Sequence, residues 1–320
     1  MKYLLPHVQR LGLTVLALAL FLVACDSDDS PTDPVEPENT IADVVAEDPD
    51  FSTLLSILQS ADLVDTFADP EATFTVFAPL NSGFLPYDVT AIGALDGAIE
   101  EILTYHVVAG AAVGSGDLQD GQRVQTLAGD ELLVRIDGSG GVTVDGSRVV
   151  TADVQTDNGV IHVIDRVMVG NQNLANVAGF ILEIRTLFEV VVDVGLADAF
   201  AGADDWTVFA PNNAAFAALG DALDGLSEAE IQEILQYHVL PGGITRSDQL
   251  IDLLQSNGGE VSVPTAQGEE VTITLVDAST ITFNEDQAVL DLDNLDYFAE
   301  NGIIHLIDGV LLPPSFTDEG

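Results

Sequence analysis

Positively charged residues are scarce in this sequence. Its 320 residues include 53 Asp and Glu but only eight Lys and Arg. Beyond residue 24 only six basic residues remain, all of them arginine, and lysine is absent. Such an acidic surface repels the phosphates of nucleic acids and of anionic lipids, so nucleic acid is not expected among the partners.

Cysteine and long apolar runs are also missing. Cys25 is the only thiol, so no disulfide can form within the chain and the folded part has no cysteine nucleophile. The apolar run Leu11–Val23 has 13 residues, whereas a helix needs about 20 to span a bilayer. Lys2 and Arg10 precede this run, which is the charge pattern of a secretory signal peptide.

The stretch Leu22–Cys25 resembles the lipobox of bacterial lipoproteins, in which the cysteine is lipidated and becomes the mature N-terminus. This resemblance implies a lipoprotein signal peptide over residues 1–24 and lipidation at Cys25. An ordinary signal peptide followed by a stray cysteine is the alternative. Residues 25–40 are acidic and proline-rich and are expected to form an extended tether. The acid excess without lysine also resembles the proteins of halophilic bacteria.

Three blocks of sequence occur twice, in the same order. The first two pairs are 132 residues apart and the third pair 143, so the second copy has about eleven extra residues before its last block. This self-similarity indicates a tandem duplication, with domain 1 over residues 41–170 and domain 2 over residues 174–314. The blocks, each with its repeat, are residues 74–84 and 206–216, 102–107 and 234–239, and 158–165 and 301–308.

The order of these blocks resembles that of the fasciclin (FAS1) domain, and both copies contain all three. The resemblance covers nearly all of the chain beyond the tether. It implies two tandem α+β domains. In each of them, N-terminal helices are expected to pack on a compact, mostly antiparallel β-wedge or sandwich.

The repeated blocks also predict where particular polar side chains lie. The last block of each copy is apolar on both faces, so it is predicted to be a central strand that buries His162 and His305. Asn81 and Asn213 follow a strand that ends at a proline, where the side-chain oxygen is expected to cap the next helix.

Tyr105-His106 and Tyr237-His238 are predicted to end helices, where the helix dipole favours a protonated histidine. Packing is the default interpretation of these four residues. The alternative is an interaction surface, because the Tyr-His region of animal fasciclin-domain proteins is linked to integrin binding. A bacterial partner would not be an integrin, so only the idea of an interaction surface is carried over.

A metal site or an acid–base pair is a second alternative for the repeated histidines. We interpret them as buried structural residues, because no acid recurs beside the Tyr-His block in both copies. Neither a catalytic residue, a cofactor nor a metal ion is expected. One weak candidate for a cation site is the loop at residues 291–296, although it lacks the EF-hand glycine and closing glutamate, and a solvated loop is favoured. Its oxygen ligands would be Asp291, Asp293, Asn294 and Asp296.

The function predicted from these features is non-catalytic. No serine-hydrolase elbow, phosphate-binding loop, zinc-protease motif or Cys-x-x-Cys pattern occurs. An anchor, a tether and tandem modules favour a lipid-anchored adhesion or protein-interaction module at the outer membrane, the cell surface or a periplasm-facing membrane. Its partner would be a surface protein or a glycan. The alternative function is binding of a small ligand or glycan, with or without calcium.

Overall fold

Each copy of the repeat folds as short helices followed by a sheet. The computed structural model describes residues 39–95, 97–220, 225–277 and 280–317. The predicted signal peptide, the lipidation site Cys25 and nearly all of the predicted tether lie outside these ranges. Within them, no helix is both long and apolar enough to cross a membrane.

The first copy contains five α-helices and seven strands among the described residues. They are α1 (Ile41–Glu47), α2 (Ser52–Ser60), α3 (Val64–Phe67), β1 (Phe74–Pro79), α4 (Val89–Ala94), α5 (Ala98–Tyr105), β2 (Val107–Ala109), β3 (Arg123–Gln125), β4 (Glu131–Ile136), β5 (Val142–Val144), β6 (Ser147–Thr156) and β7 (Gly159–Ile164).

The second copy repeats this order and adds a helix before its hairpins. Its elements are α6 (Leu174–Phe180), α7 (Arg185–Asp193), α8 (Ala197–Ala201), β8 (Trp206–Pro211), α9 (Asn213–Leu219), α10 (Glu228–Tyr237), β9 (Val239–Leu240), α11 (Ser247–Ser256), β10 (Glu260–Pro264), β11 (Glu270–Asp277), β12 (Thr280–Phe283), β13 (Ala288–Val289), β14 (Tyr297–Ala299), β15 (Gly302–Ile307) and α12 (Pro314–Thr317).

A parallel strand pair lies inside the otherwise antiparallel sheet of each copy. The first copy has the strand order β2-β1-β7-β6-β5-β4-β3, and the second has two sheets, β14-β15-β8-β9 and β10-β11-β12-β13. The parallel pairs are β1 with β7 and β8 with β15. Every residue of β7 and of β15 is buried. The α+β class and the buried central strand predicted from the sequence are therefore confirmed.

Two helices begin at capping boxes that can be read from the sequence. Thr40 caps α1 through a reciprocal pair of bonds with Asp43, and Ser227 caps α10 in the same way with Glu230. Each pair satisfies amide groups that have no partner within the helix. The first turn of each helix is therefore specified locally by the sequence.

The glycine that opens the final strand of each copy is required by close backbone packing. A Cβ atom on Gly159 would lie 2.0 Å from the carbonyl oxygen of Phe74. A Cβ atom on Gly302 would lie 2.4 Å from that of Trp206. No side chain fits at these distances, which explains why both copies keep an Asn-Gly pair at this point.

Asn81 and Asn213 do not cap the helix that follows them, and that prediction was wrong. The Asn81 side-chain oxygen accepts from the backbone N–H of Thr53 at 2.8 Å, in the first turn of the earlier helix α2. Asn213 likewise accepts from Thr186 at 2.9 Å, in the first turn of α7. The cap of α9 is Asn212 instead. Tertiary packing brings the earlier helix closer to these side chains than the next one.

The extra residues of the second copy lie largely in α11. This ten-residue helix stands where the first copy has a three-residue 3-10 turn at Ser115–Asp117. The acidic loop at residues 291–296 therefore accounts for only the remainder of the excess. Its last residue also has a counterpart in the first copy, as described below.

The two copies share one apolar core. Residues 38–320 form a single compact unit, and one cluster of buried side chains contains Leu54 of α2 together with Val177 and Phe180 of α6. The rings of Tyr87 and Tyr297, one from each copy, meet edge to face with centroids 6.0 Å apart. Because the copies bury apolar surface against each other, their relative position is fixed by the same effect that folds each one.

Candidate functional site

The histidines of the Tyr-His blocks are buried and use both ring nitrogens. In His106, Nδ1 donates to the carbonyl oxygen of Ile102 at 2.7 Å, and Nε2 accepts from the backbone N–H of Met168 at 2.9 Å. His238 repeats both bonds, at 2.8 and 2.9 Å. Each ring thus joins the end of a helix to the segment that follows the last strand of its copy.

These two rings are neutral, in contrast to the expectation from the helix dipole. Burial lowers the pKa of His106 and of His238 from 6.5 to about 4, and the carbonyl acceptor on Nδ1 only partly opposes this effect. Protonation of Nε2 would also break its bond to a backbone N–H. Desolvation therefore outweighs the dipole at both positions.

The histidines of the final strands are equally committed to backbone partners. In His162, Nε2 donates to the carbonyl oxygen of Val113 at 2.9 Å, and Nδ1 accepts from the backbone N–H of Asp153 at 3.3 Å. The same bonds of His305 measure 2.9 and 3.2 Å. The His162 ring also stacks on Phe77, with centroids 5.4 Å apart. All four repeated histidines therefore join backbone segments, and none presents a ring nitrogen to a ligand.

A recurring acid accompanies each of these final histidines, and the sequence analysis missed it. Asp153 and Asp296 each lie nine residues before the final histidine of their copy. Both have positive φ, 61° and 55°, and their carboxylates accept from the backbone N–H groups of Ser115 and Ser247 at 2.7 and 2.9 Å. The signal was the matched spacing, which becomes visible only when the copies are aligned on their last block.

Three of the four candidate cation ligands of the acidic loop, Asp291, Asn294 and Asp296, accept hydrogen bonds from the protein. The Asp291 carboxylate accepts from the Asp293 backbone N–H at 3.1 Å and from the Asn294 amide at 2.9 Å. The Asn294 side-chain oxygen accepts from the Tyr297 hydroxyl at 2.8 Å, while Asp296 binds a serine, as above. Across the described ranges, no three or more His, Cys, Asp or Glu side chains are grouped so as to hold a metal ion.

The asparagines of the final blocks tie each strand to the helices. Asn158 accepts from the backbone N–H of Ile41 at 2.9 Å and donates to the carbonyl oxygens of Phe67 and Asp69 at 2.9 and 3.0 Å. Asn301 accepts from the backbone N–H of Leu174 at 2.8 Å. Leu174 opens α6 as Ile41 opens α1. The Asn-Gly pair thus serves two structural purposes. The asparagine joins the final strand to the helices by hydrogen bonds, and the glycine lets the final strand pack closely against the backbone of the first strand.

The four residues considered as an interaction surface are buried. Tyr105, His106, Tyr237 and His238 are 2%, 5%, 0% and 3% exposed. The structure therefore corrects the interaction-surface alternative, because these side chains pack inside the folded chain and form no surface patch for a protein partner. Only an edge of Tyr105 borders a cleft between the copies. Packing, the default interpretation, describes them correctly.

The partner of the tyrosine differs between the copies. The Tyr105 hydroxyl donates to the carboxylate of Asp145, which is itself buried. At the equivalent position of the second copy, the amide of Asn284 donates to the Tyr237 hydroxyl at 2.9 Å. Burial is the main cause that raises the pKa of Asp145 from 3.8 to about 6. The first copy thus retains a buried carboxylate where the second has an uncharged amide.

Polar contacts supplement the shared core at the junction between the copies. The guanidinium of Arg166 lies 4.4 Å from the centroid of the Tyr297 ring. Arg135 bridges to Asp248 across the junction at 3.0 Å, and the Asp88 backbone N–H donates to the carbonyl oxygen of Phe180 at 2.7 Å. The two copies are therefore held as one rigid pair.

The chain contains the same three blocks twice. In both copies the final strand is parallel to the first strand and is held by an equivalent histidine and an equivalent asparagine. The chain is therefore a tandem pair of one domain type. The family model described as the Fasciclin domain matches residues 49–170 and 183–313. This chain belongs to the fasciclin family.

Similar proteins come from several kingdoms. The chain is 40% identical to protein sll1483 of Synechocystis over 134 residues, 40% of this chain and 72% of that protein. It is 24% identical to the fasciclin-like arabinogalactan protein elcF of Phaeosphaeria nodorum, over 88% of this chain and 91% of that protein. Human periostin is 28% identical over 63% of this chain, but the match spans only 24% of periostin.

One solved structure is a FAS1 domain pair from the insect cell adhesion molecule fasciclin I. It shares 18% sequence identity with this chain, and the superposition covers 83% of this chain and 98% of that one, with a TM-score of 0.42.

Proposed function

We propose that this protein is a lipid-anchored, extracytoplasmic adhesion or protein-interaction module without catalytic activity. Lipidation at Cys25 and an extended tether over residues 25–40 would hold the domain pair at the outer membrane, the cell surface or a periplasm-facing membrane. The proposed partner is a surface protein or a glycan.

The observation that carries this proposal is the use of every repeated polar side chain as scaffold. Enzymes keep a nucleophile or base within reach of substrate. Here the four repeated histidines each have two backbone partners. The function that remains for the pair is recognition by its surface.

The rigid junction supports a single composite surface. Two modules on a flexible linker would gain affinity only if two partners matched their spacing. In this chain the copies are locked by the shared core and the Arg166–Tyr297 contact. A partner would therefore meet both copies in one fixed geometry, including the cleft between them.

The anchor is tested by fatty-acid labelling of the full chain and of Cys25→Ser. We expect label on the wild-type protein in the membrane fraction, and an unlabelled, released Cys25→Ser protein that still folds. Label that persists on Cys25→Ser, or a wild-type chain that is never labelled, would refute the anchor and leave the domain assignment untouched.

The adhesion function is tested by deleting the gene and measuring surface attachment, cell aggregation and biofilm mass. We expect a loss that the wild-type gene restores. Complementation with Cys25→Ser is the matched control, because it supplies the same domain pair without the anchor. No change on deletion in any of these assays would contradict the adhesion proposal.

The alternative function is binding of a small ligand or glycan, and the cleft between the two copies supports it.

A further inference from the structure

The cleft between the two copies has the volume of a ligand site. It encloses about 660 Å³, within the range of roughly 300 to 1,000 Å³ that is usual for small-molecule sites. A cavity of about 260 Å³ shares Arg246 and Phe298 with it, and a third of about 350 Å³ shares Ser247 and Asp296 with the second. Together they form a groove along the junction.

The floor of the cleft presents buried acceptors. The carboxylate of Asp145 accepts from the Tyr105 hydroxyl and, at 2.8 Å, from the backbone N–H of Leu133. With its proton given to Asp145, the Tyr105 oxygen keeps its lone pairs for another donor. These acceptors suit a ligand that donates hydrogen bonds.

The walls of the cleft present donors and an aromatic ring. Arg123 on β3 contributes an exposed guanidinium group, and the partly buried Phe298 comes from the second copy. Arg246 before α11 also lines the cleft, but its guanidinium is paired with Asp248 at 3.0 Å. Exposed carboxylates complete the rim: Asp130, Glu131, Asp205 and Glu300.

The charge balance of the lining selects the class of ligand. Carboxylates outnumber guanidinium groups, so a sulfated or phosphorylated ligand is repelled. A purely cationic ligand would offer no acceptor to the guanidinium group of Arg123, since arginine has five N–H groups and accepts no hydrogen bond. A sugar hydroxyl both donates and accepts, and the C–H face of a sugar ring packs on an aromatic side chain. Neutral carbohydrate is the class that satisfies all of these groups.

We propose that the cleft binds a neutral oligosaccharide, with Asp145, Tyr105 and the exposed carboxylates of the rim accepting from sugar hydroxyls, Arg123 donating to them, and Phe298 packing on a ring. Both copies contribute, so neither domain alone contains the site. The proposal does not depend on the membrane anchor or on adhesion.

The difference between the copies supports this assignment. An asparagine at the tyrosine's partner position is sufficient for the fold, because Asn284 serves the second copy. The Asn284 amide donates to the Tyr237 hydroxyl and so occupies a lone pair of that oxygen. The Asp145 carboxylate accepts from the Tyr105 hydroxyl instead, so the lone pairs of the Tyr105 oxygen stay available at the cleft. Ligand binding would explain why the first copy has a buried carboxylate at a position where an amide is sufficient for the fold.

The test is direct binding of defined oligosaccharides to the whole protein without its signal peptide. An array of neutral glucan, mannan and galactan oligosaccharides is screened at high salt, with sulfated oligosaccharides and a basic peptide as comparison ligands. Hits are measured by calorimetry. We expect a neutral oligosaccharide to bind and the two comparison classes not to bind. High salt suppresses non-specific attraction of basic molecules to this acidic chain.

Two variants probe the site and one serves as the control. Arg123→Ala and Phe298→Ala each remove one contact and are expected to weaken binding about tenfold. Arg148→Ala removes an arginine whose side chain is 67% exposed and lies outside the cleft. The affinity of this variant for the oligosaccharide is expected to stay within about twofold of the wild-type value. Thermal melts of all three confirm that they fold.

Several results would overturn the proposal. These are no binding of any neutral oligosaccharide, binding that Arg123→Ala and Phe298→Ala both leave unchanged, or a preference for the sulfated oligosaccharides or the basic peptide. Attachment assays of the same variants separate the two proposals: a variant that loses sugar binding yet restores attachment shows that adhesion uses another surface.

Discussion

Asp145→Asn tests how much stability the buried carboxylate of Asp145 costs, because the second copy already has an asparagine at the equivalent position. Asn284, at the equivalent position, accepts from the Thr272 backbone N–H at 3.0 Å and donates to the Tyr237 hydroxyl at 2.9 Å. Its φ of 46° matches the 44° of Asp145. The substituted side chain is therefore expected to keep both contacts without new backbone strain.

The expected gain in stability follows from the pKa of Asp145, raised chiefly by burial from 3.8 to about 6. The folded chain holds this proton more tightly than the unfolded chain, so stability is lost as the pH rises from about 4 through about 6. A shift of about two pKa units corresponds to about 3 kcal/mol above that window. The lost charge-assisted bonds reduce the gain, so Asp145→Asn should add about 1 to 3 kcal/mol to the free energy of unfolding near pH 7.5, and close to zero near pH 4.

The assay is urea denaturation near these two pH values, at one high salt concentration, followed by far-UV circular dichroism. Asn284→Asp is the matched control and is expected to lower the free energy of unfolding by a similar amount near pH 7.5 only. A loss of stability in Asp145→Asn near pH 7.5, or a gain of equal size at both pH values, would refute the reasoning. The first result would mean that the carboxylate is favourable in the fold, and the second that the effect is packing.

Three further predictions concern the scaffold. Burial depresses the pKa of His106 and His238 to about 4, so these rings should make stability fall as the pH drops from about 6.5 towards 4, by up to about 3 kcal/mol for each ring; melts of Asp145→Asn across this range check it, because that variant lacks the opposing effect of Asp145, and a flat profile in Asp145→Asn would contradict it. Asn158→Ala removes three buried bonds and should cost about 2 to 4 kcal/mol in urea denaturation; a cost below about 0.5 kcal/mol would show that these bonds are dispensable. Arg166→Ala removes the cation–π contact across the junction and should cost about 1 to 2 kcal/mol and speed amide exchange there, whereas the exposed Arg148→Ala should change stability by less than about 0.5 kcal/mol; equal effects of the two would argue against a locked junction.

The sequence alone determined the features that depend on local chemistry or on repetition. Thr40 and Ser227 specify their helix starts because each meets its partner three residues along the chain. The final strand of each copy was predictable as central because both of its faces are apolar. The tandem fold followed from three blocks in one order, which no single block would have established.

Contacts between distant segments were decided only by the tertiary structure. Asn81 caps a helix 28 residues earlier and not the next one. The burial of the Tyr-His residues decides for packing, the default, against the interaction surface that the sequence had left open as an alternative. The proton on His106 is set by desolvation, which depends on everything packed around the ring. The cleft belongs to neither copy and exists because the shared core sets one copy against the other. A sequence pattern encodes which residues are apolar and how they repeat, but not which distant surfaces meet when they are buried.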